Sequence, residues 1–519
     1  MSPLTSISLR TFLLSVLCLS YLALGLPVTP TDQIVLSPLE LGLKDTKVLI
    51  LGGGVAGVIA ARTLQEQGIS DFIIVEARHE LGGRMMSRSF GAEGQEYTVE
   101  VGANWVQGTQ TEDGPENPIW DLAKRHNITT QQSSFFDSIT TFDETGPVDY
   151  RDIFDTAVKN YAALSQSAGS RVHANLVDTT ARGGYSLTGA QPSSPHEFAS
   201  EYFQFDWEFA QSPEETSWVA SSWANNFTFR GDAGGFSDEN MMSVDQRGFK
   251  TLIQSEARSF LENTGTERVM LNSTVSSIEY SVNGVRVNMT DGRSLSADHA
   301  LCTFSLGVLQ HTDVKFEPAL PAWKKEAIHS MSMGVYTKIF FQFPYKFWFD
   351  TEMGLYAGRE RGRYAVWQSL DHPDFFPGSG LLFVTITGSF SKRIESLPNE
   401  YVKYEVLSVL QSMFPNITIP EPLDFYFHRW HADPLFRGSY SNWPASFLSE
   451  HQANLRANVD ERLWFAGEAT SRKHFGFLHG AYFEGRDIAL AVADCIKGGG
   501  CVGLEHVERI RNARPYQWF

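Results

Sequence analysis

The 519-residue chain predicts an α/β fold: a Rossmann-like nucleotide-binding domain assembled from discontinuous segments, with an α+β domain built from the intervening chain. Three stretches predict it. "KVLIL" from Lys47 is a continuous apolar run of the kind buried in a parallel strand, Val55 to Gln67 has helical periodicity, and "DFIIVEA" from Asp71 is a second strand, so the three form a β-α-β unit. From Val269 to Ser305 short strands alternate around the hairpin turns Asn283-Gly284 and Asp291-Gly292. Near the C-terminus, "LWFAGEAT" from Leu463 reads as a strand and Gly480 to Ile496 as a helix. The expected boundaries are a leader at 1–25, a nucleotide-binding domain at 45–122, 224–325 and 428–495, a second domain at 123–223 and 326–427, and a tail at 496–519. No internal repeat or low-complexity tract interrupts this plan.

Arg10 precedes an apolar run from Thr11 to Leu24, and Ala23-Leu24-Gly25 has the small residues of a cleavage site. The run is shorter than the roughly 20 residues of a spanning helix, so the expectation is a removed signal peptide, a secreted protein and no stable membrane anchor. Sequons at Asn127, Asn226, Asn272, Asn288 and Asn416 are candidate glycan sites in such a chain. Of the cysteines beyond the leader, Cys495 and Cys501 are spaced to close a small disulfide, and Cys302 in "HALCTFSL" reads as a buried thiol. The net charge of −18 argues against nucleic acid and suits a cationic small molecule. No metal-ligand spacing stands out.

Gly52, Gly54 and Gly57 follow the first strand at the spacing that permits a tight turn, close approach to a diphosphate and close helix packing, with Ala56 in the first helical turn. The helix aims its amide dipole at that diphosphate. Glu76 ends the second strand, where a carboxylate accepts the ribose hydroxyls. So far NAD and FAD fit equally. Gly82-Gly83-Arg84 in "HELGGRM" resembles the pattern of FAD enzymes of the amine oxidase and protoporphyrinogen oxidase group, and that resemblance implies FAD, with backbone and Arg84 brought to the diphosphate side.

With these, "VEVGANWVQG" (99–108), "FDWEFA" (205–210), "DQRGF" (245–249), "SLGVLQ" (305–310), "VYTKIFFQFP" (335–344), "SYSNWP" (439–444) and "FAGEATS" (465–471) resemble, in order, the flavin amine oxidase family, and within it the secreted plant and fungal polyamine oxidases. The resemblance covers about Lys47 to Cys495. It implies that Val275 meets the adenine, Trp105 lies by the flavin, Trp430 and Phe436 pack near it, Glu468 reaches the ribityl and diphosphate region, and Phe477 and Leu478 pass the flavin at a helix N-terminus. Some relatives attach flavin to a cysteine here; Gly476 and Phe477 offer no thiol, so the FAD is expected to be non-covalent.

The implied reaction moves a hydride equivalent from the carbon beside an amine nitrogen to flavin, after which water hydrolyses the imine and O2 is reduced to H2O2. Only a neutral amine has the lone pair to drive it, and a free alkylamine has a pKa near 10.4. The site must therefore disfavour charge at the reacting nitrogen and hold cations elsewhere. The resemblance assigns Tyr440 and Phe477 to facing aromatic walls, with the Tyr and Phe exchanged relative to the family. Alternation in "VYTKIFFQF" puts Tyr336, Lys338, Phe340 and Gln342 on one face. Pattern alone reads Lys338 as a solvated edge residue; the resemblance makes it the lysine that holds a water against the flavin.

Glu208 lies in a helical pattern with the stripe Phe198, Tyr202, Phe205 and Phe209, at that stripe's border. The resemblance makes it the catcher of a substrate ammonium, with Phe209 beside the path. The plant enzymes have a second carboxylate where this chain has Gln107, so the preference is expected to shift toward amines of lower charge such as N-acetylated polyamines. The partners expected are polyamine and O2, with the protein a monomer. The alternatives are an L-amino acid or monoamine oxidase, or a non-redox binding protein of the same architecture.

Overall fold

The computed structural model describes residues 44–262, 268–445 and 447–501; the expected leader at 1–25 and residues 502–519 of the tail lie outside the described residues. Strand β1 (Thr46–Leu51) is apolar at every position from Val48 to Leu51, each wholly buried, because both of its faces are covered. Leu49 and Leu51 point into one core, and Val48 and Ile50 into another beneath helix α1 (Val55–Glu66) and the helix Leu478–Ile496. Strand β1 runs parallel to β2 (Phe72–Val75) on one side and to Ser294–Cys302 on the other. Val269–Met270 extends the sheet past β2. Gly284–Met289, Val275–Ser281 and Lys315–Glu317 extend it the other way, and Leu463–Phe465 pairs parallel with Ser294–Cys302. All three stretches that predicted the fold therefore meet in one eight-stranded sheet.

A second, seven-stranded sheet has the order Asp424–Phe427, Tyr336–Gln342, Leu381–Thr387, Val366–Ser369, Met353–Ala357, Ile139–Asp143 and Gly146–Pro147. Tyr336–Gln342 is paired on both sides, so Lys338 is an interior residue, 3% exposed, and not a solvated edge. Its neighbours Ile339 and Phe341 pack against the helix Asn399–Met413 through Val402, Val406 and Leu410, while Phe340 faces the opposite cluster. Two small sheets join parts of the chain across the expected boundaries. Trp105–Gln107 pairs with Asn240–Ser243, which also takes Thr130–Gln132, and Ser332–Gly334 pairs with Tyr440–Asn442.

One expectation is corrected. The stripe Phe198, Tyr202, Phe205, Phe209 does not lie on one helix: the helix Pro195–Gln204 ends, Phe205 departs to φ −115° and ψ −61°, and a single turn, Asp206–Phe209, follows before Ala210 at φ 55°. The change of axis divides the stripe. Tyr202 joins Phe203 and Trp207, whereas Phe205 and Phe209 join Leu164, Tyr185 and Trp218.

Cys495 and Cys501 form the disulfide, and Cys302 is a buried thiol that burial pushes up to about 12. Among the described residues no helix is long and apolar enough to cross a membrane, and no His, Cys, Asp and Glu side chains cluster as metal ligands.

Candidate active site

A cavity of about 510 Å³ extends from the end of β1 to the inner face of the second sheet, touching both. At its first end Gly52 and Gly54 line the wall. A Cβ at Gly57 would lie 1.9 Å from the Gly52 carbonyl oxygen, so only glycine lets α1 begin this close to β1. The N-terminus of α1 has no side-chain cap and no acid in its first turn, which leaves its amides, with Val55 and Ala56 at the wall, free for an anion. Glu76 lines the wall beside them. Its Oε2 accepts from the Gly53 amide at 2.6 Å and Oε1 from the Arg78 amide at 2.8 Å, while burial raises its pKa.

The Gly82-Gly83 turn does more than admit a ligand. The Gly82 amide donates to the Gly53 carbonyl at 2.9 Å, and Gly83, at φ 57°, packs its backbone on Gly54. Ser273, Thr274, Val275 and Thr290 continue the wall.

Midway, Arg84 and Glu468 both line the cavity, and they are paired with each other. Arg84 Nη1 donates to Glu468 Oε1 and to the Ser439 carbonyl, each at 2.9 Å. Glu468 Oε2 accepts from Ser441 Oγ at 2.5 Å and the Gly476 amide at 2.7 Å. The carboxylate expected to reach the cofactor chain thus ties three cavity segments together. Trp430 and Phe436 meet edge to face, 5.2 Å between centroids, and both border the cavity.

At the far end the wall carries Trp105, Gln107, Glu208, Phe209, Tyr336, Lys338, Tyr440, Phe477 and Leu478. Tyr440 and Phe477 are backed by different rings: Tyr440 lies 6.0 Å from Tyr336, and Phe477 stacks on His479 at 4.9 Å. The Tyr440 hydroxyl donates to the Glu208 carbonyl at 2.8 Å. Phe477 precedes the helix Leu478–Ile496, whose N-terminus has neither side-chain cap nor acid.

Lys338 Nζ donates to the Glu100 carbonyl (3.0 Å), the Gly102 carbonyl (2.8 Å) and Asn104 Oδ1 (2.7 Å), and sits 5.3 Å from the Trp105 ring. Burial lowers its pKa to about 7 against the pull of the Glu100 carboxylate, which burial itself raises to about 7. Glu208 is different. Its carboxylate makes no ion pair or hydrogen bond with the described residues, and burial alone pushes its pKa up to about 7. At the same wall the Trp105 indole N–H is buried without a hydrogen-bond partner.

These features define a dinucleotide cradle continuous with an aromatic chamber, and the chain belongs to the family described as flavin containing amine oxidoreductase, whose pattern matches residues 55–493. The cofactor of this fold is FAD, and the glycine cradle, the two uncapped helix N-termini and the unpartnered Trp105 N–H fit it.

Among similar proteins, Polyamine oxidase 6 of Oryza sativa subsp. japonica is 36% identical across 91% of this chain and 96% of its own length. Polyamine oxidase 1 of Zea mays is 34% identical across 88% and 92%. The solved structure of cyclohexylamine oxidase from Brevibacterium oxydans IH-35A has the same fold: TM-score 0.66, 20% identity, and coverage of 87% of this chain and all of that one.

Several cavity residues escaped the sequence reading. Asn104 and Trp207 sit inside the motifs "VEVGANWVQG" and "FDWEFA", but the burial of Lys338 that gives Asn104 its role is visible only in the sheet. Asn240 faces the cavity because it pairs with Gln107 across two strands. No local pattern announces that.

Proposed function

We propose that the protein oxidises polyamines, with Glu208 anchoring a substrate ammonium while a neutral nitrogen of the same molecule sits between Tyr440 and Phe477. The observation that carries this reading is the unpaired Glu208 carboxylate at the wall of a largely aromatic chamber: a carboxylate withdrawn from bulk water without a counterion is matched by a ligand that brings one. Bound FAD supplies the acceptor for the hydride equivalent, and O2 takes the two electrons onward as H2O2. Tyr440, Tyr336, Phe477 and Phe209 exclude water and disfavour charge on the reacting nitrogen. Lys338, with Nζ fixed by three acceptors and its pKa near 7, exchanges the proton of the water that hydrolyses the imine.

By the same reading Gly52, Gly54, Ala56, Gly57 and Glu76 hold the ADP part, Val275 the adenine, and Trp105, Trp430, Phe436 and Leu478 the flavin side. The attachment is non-covalent, since none of the described cysteines borders the cavity. The segments 45–122, 224–325 and 428–495 act as the FAD domain and 123–223 with 326–427 as the substrate domain. An amino acid oxidase would need a free cation for the substrate carboxylate. Arg84 is committed to Glu468 and Arg78 to Glu80.

Peroxide release and mass-spectrometric product identification with spermine, spermidine and their N-acetyl forms test the activity; no aldehyde from any of them would contradict it. Gln107 supplies hydrogen bonds without charge at the cavity wall, so kcat/KM is expected to favour N1-acetylspermine over spermine. Gln107→Glu should shift that ratio toward spermine by about tenfold, the worth of one charge-assisted hydrogen bond. A wild-type preference for free spermine would contradict this.

We also propose that the protein is secreted as a glycosylated monomer. Asn127, Asn272 and Asn416 are exposed. The Asn226 amide donates to the Ser165 carbonyl at 3.3 Å, and that of Asn288 to Ser277 Oγ at 2.9 Å and Glu279 Oε1 at 2.7 Å. Peptide mapping of the secreted protein should find glycans on the first three and not on the last two. An occupied Asn288 would contradict that assignment.

A further inference from the structure

The turn Asp206–Phe209, which presents Glu208 to the cavity, is four residues long and has no side-chain cap. One helical turn does not sustain itself, since fixing its dihedrals costs more than its hydrogen bonds return. Something else must hold Glu208 at the wall.

Asp206, the first residue of that turn, is buried and gripped at both oxygens by Arg361: Nη1 donates to Oδ1 at 2.5 Å and Nη2 to Oδ2 at 2.7 Å. Arg361 Nη2 also donates to Glu201 Oε1 at 3.0 Å, in the preceding helix. Glu201 is held in turn by Arg182, which pairs outward with Glu214. Arg361 comes from the loop between Met353–Ala357 and Val366–Ser369 of the second sheet. The fork therefore locks the Glu208 turn to the sheet that carries Lys338, and the Tyr440 hydroxyl holds the turn's other end. Arg361 does not line the cavity.

We propose that Arg361 is a positioning residue that sets the protein's selectivity for multiply charged amines by fixing Glu208 through Asp206. The inference rests on Glu208 binding an ammonium. A bidentate guanidinium fixes both the distance and the orientation of a carboxylate. Without it, Asp206 loses its counterion and the turn loses the charged tie that joins it to the second sheet.

The test compares Arg361→Gln, Arg361→Lys and Arg182→Gln in the FAD-loaded protein. Arg361→Gln should raise KM for spermine by about tenfold or more while kcat changes by less than about threefold, with a smaller rise for N1-acetylspermine. Arg361→Lys should recover part of the loss. Arg182→Gln removes a partner of the same Glu201 without touching Asp206, so both KM values should stay close to wild type. Amide exchange over 205–210 gives a reading independent of substrate, and it should rise in Arg361→Gln and not in Arg182→Gln. Unchanged exchange in Arg361→Gln overturns the positioning whatever turnover shows, and so does an equal effect of both variants on KM. Increased exchange with unchanged spermine KM overturns the link to selectivity. If exchange rises and the wild type oxidises no polyamine, the functional reading fails and the selectivity role with it.

Discussion

Replacing Glu208 by glutamine raises KM for spermine by about 10- to 100-fold and leaves kcat within about threefold, since a hydrogen bond to a charged group is worth about 1.5–3 kcal/mol and this one acts on binding. The side chain borders the cavity without a cation among the described residues, and the proposed reading makes a substrate ammonium its counterion. The amide keeps size and hydrogen bonding and removes only charge. The pH dependence has a definite sign. Burial raises the Glu208 pKa to about 7, above its unfolded value, so the carboxylate ionises only as pH rises through about 7, and anchoring of the ammonium strengthens over that interval. The same raised pKa means that the ionised group costs folding stability above the ordinary carboxylate range, a cost that a bound ammonium offsets. Spermine KM should therefore fall as pH rises through about 7 in the wild type and in Lys338→Met, and should fall less steeply in Glu208→Gln, where only deprotonation of the reacting amine remains. An unchanged KM in Glu208→Gln would contradict the assignment.

Lys338→Met lowers kcat by about 100-fold or more with FAD content retained, the scale of a lost proton-transfer group. Methionine fills the volume but leaves the Glu100 and Gly102 carbonyls and Asn104 Oδ1 without their donor. Lys338→Arg separates the two roles that a cation can play. A guanidinium keeps the charge but stays protonated at every working pH, so it does not restore turnover if Nζ moves a proton. Recovery in Lys338→Arg would mean that charge alone matters, and kcat within threefold in Lys338→Met would remove Lys338 from the chemistry.

Much of the nucleotide end was legible because its logic is local. The glycines after β1, the carboxylate closing β2 and the glycine pair at 82–83 sit within 40 residues, and each answers a steric or charge requirement that leaves a mark in spacing. The hairpins at 283 and 291 were readable for the same reason. The catalytic end was legible only through ordered motifs. Alternation put Tyr336 and Lys338 on one face, but that the strand is interior depends on Asp424–Phe427 and Leu381–Thr387, far along the chain. The broken helix at Phe205 was not legible: the apolar period runs through the break, and what pins the turn is Arg361, 155 residues from Asp206. The Arg84–Glu468 pair was hidden likewise, since each residue was read separately against the cofactor while the structure joins them.

The most direct test is anaerobic mixing of the purified, FAD-loaded protein with spermine and with N1-acetylspermine, followed by admission of O2. The flavin absorbance should bleach on amine addition and return with O2, releasing one peroxide for each aldehyde formed. A flavin spectrum that stays unchanged with every polyamine offered would contradict the account at its centre.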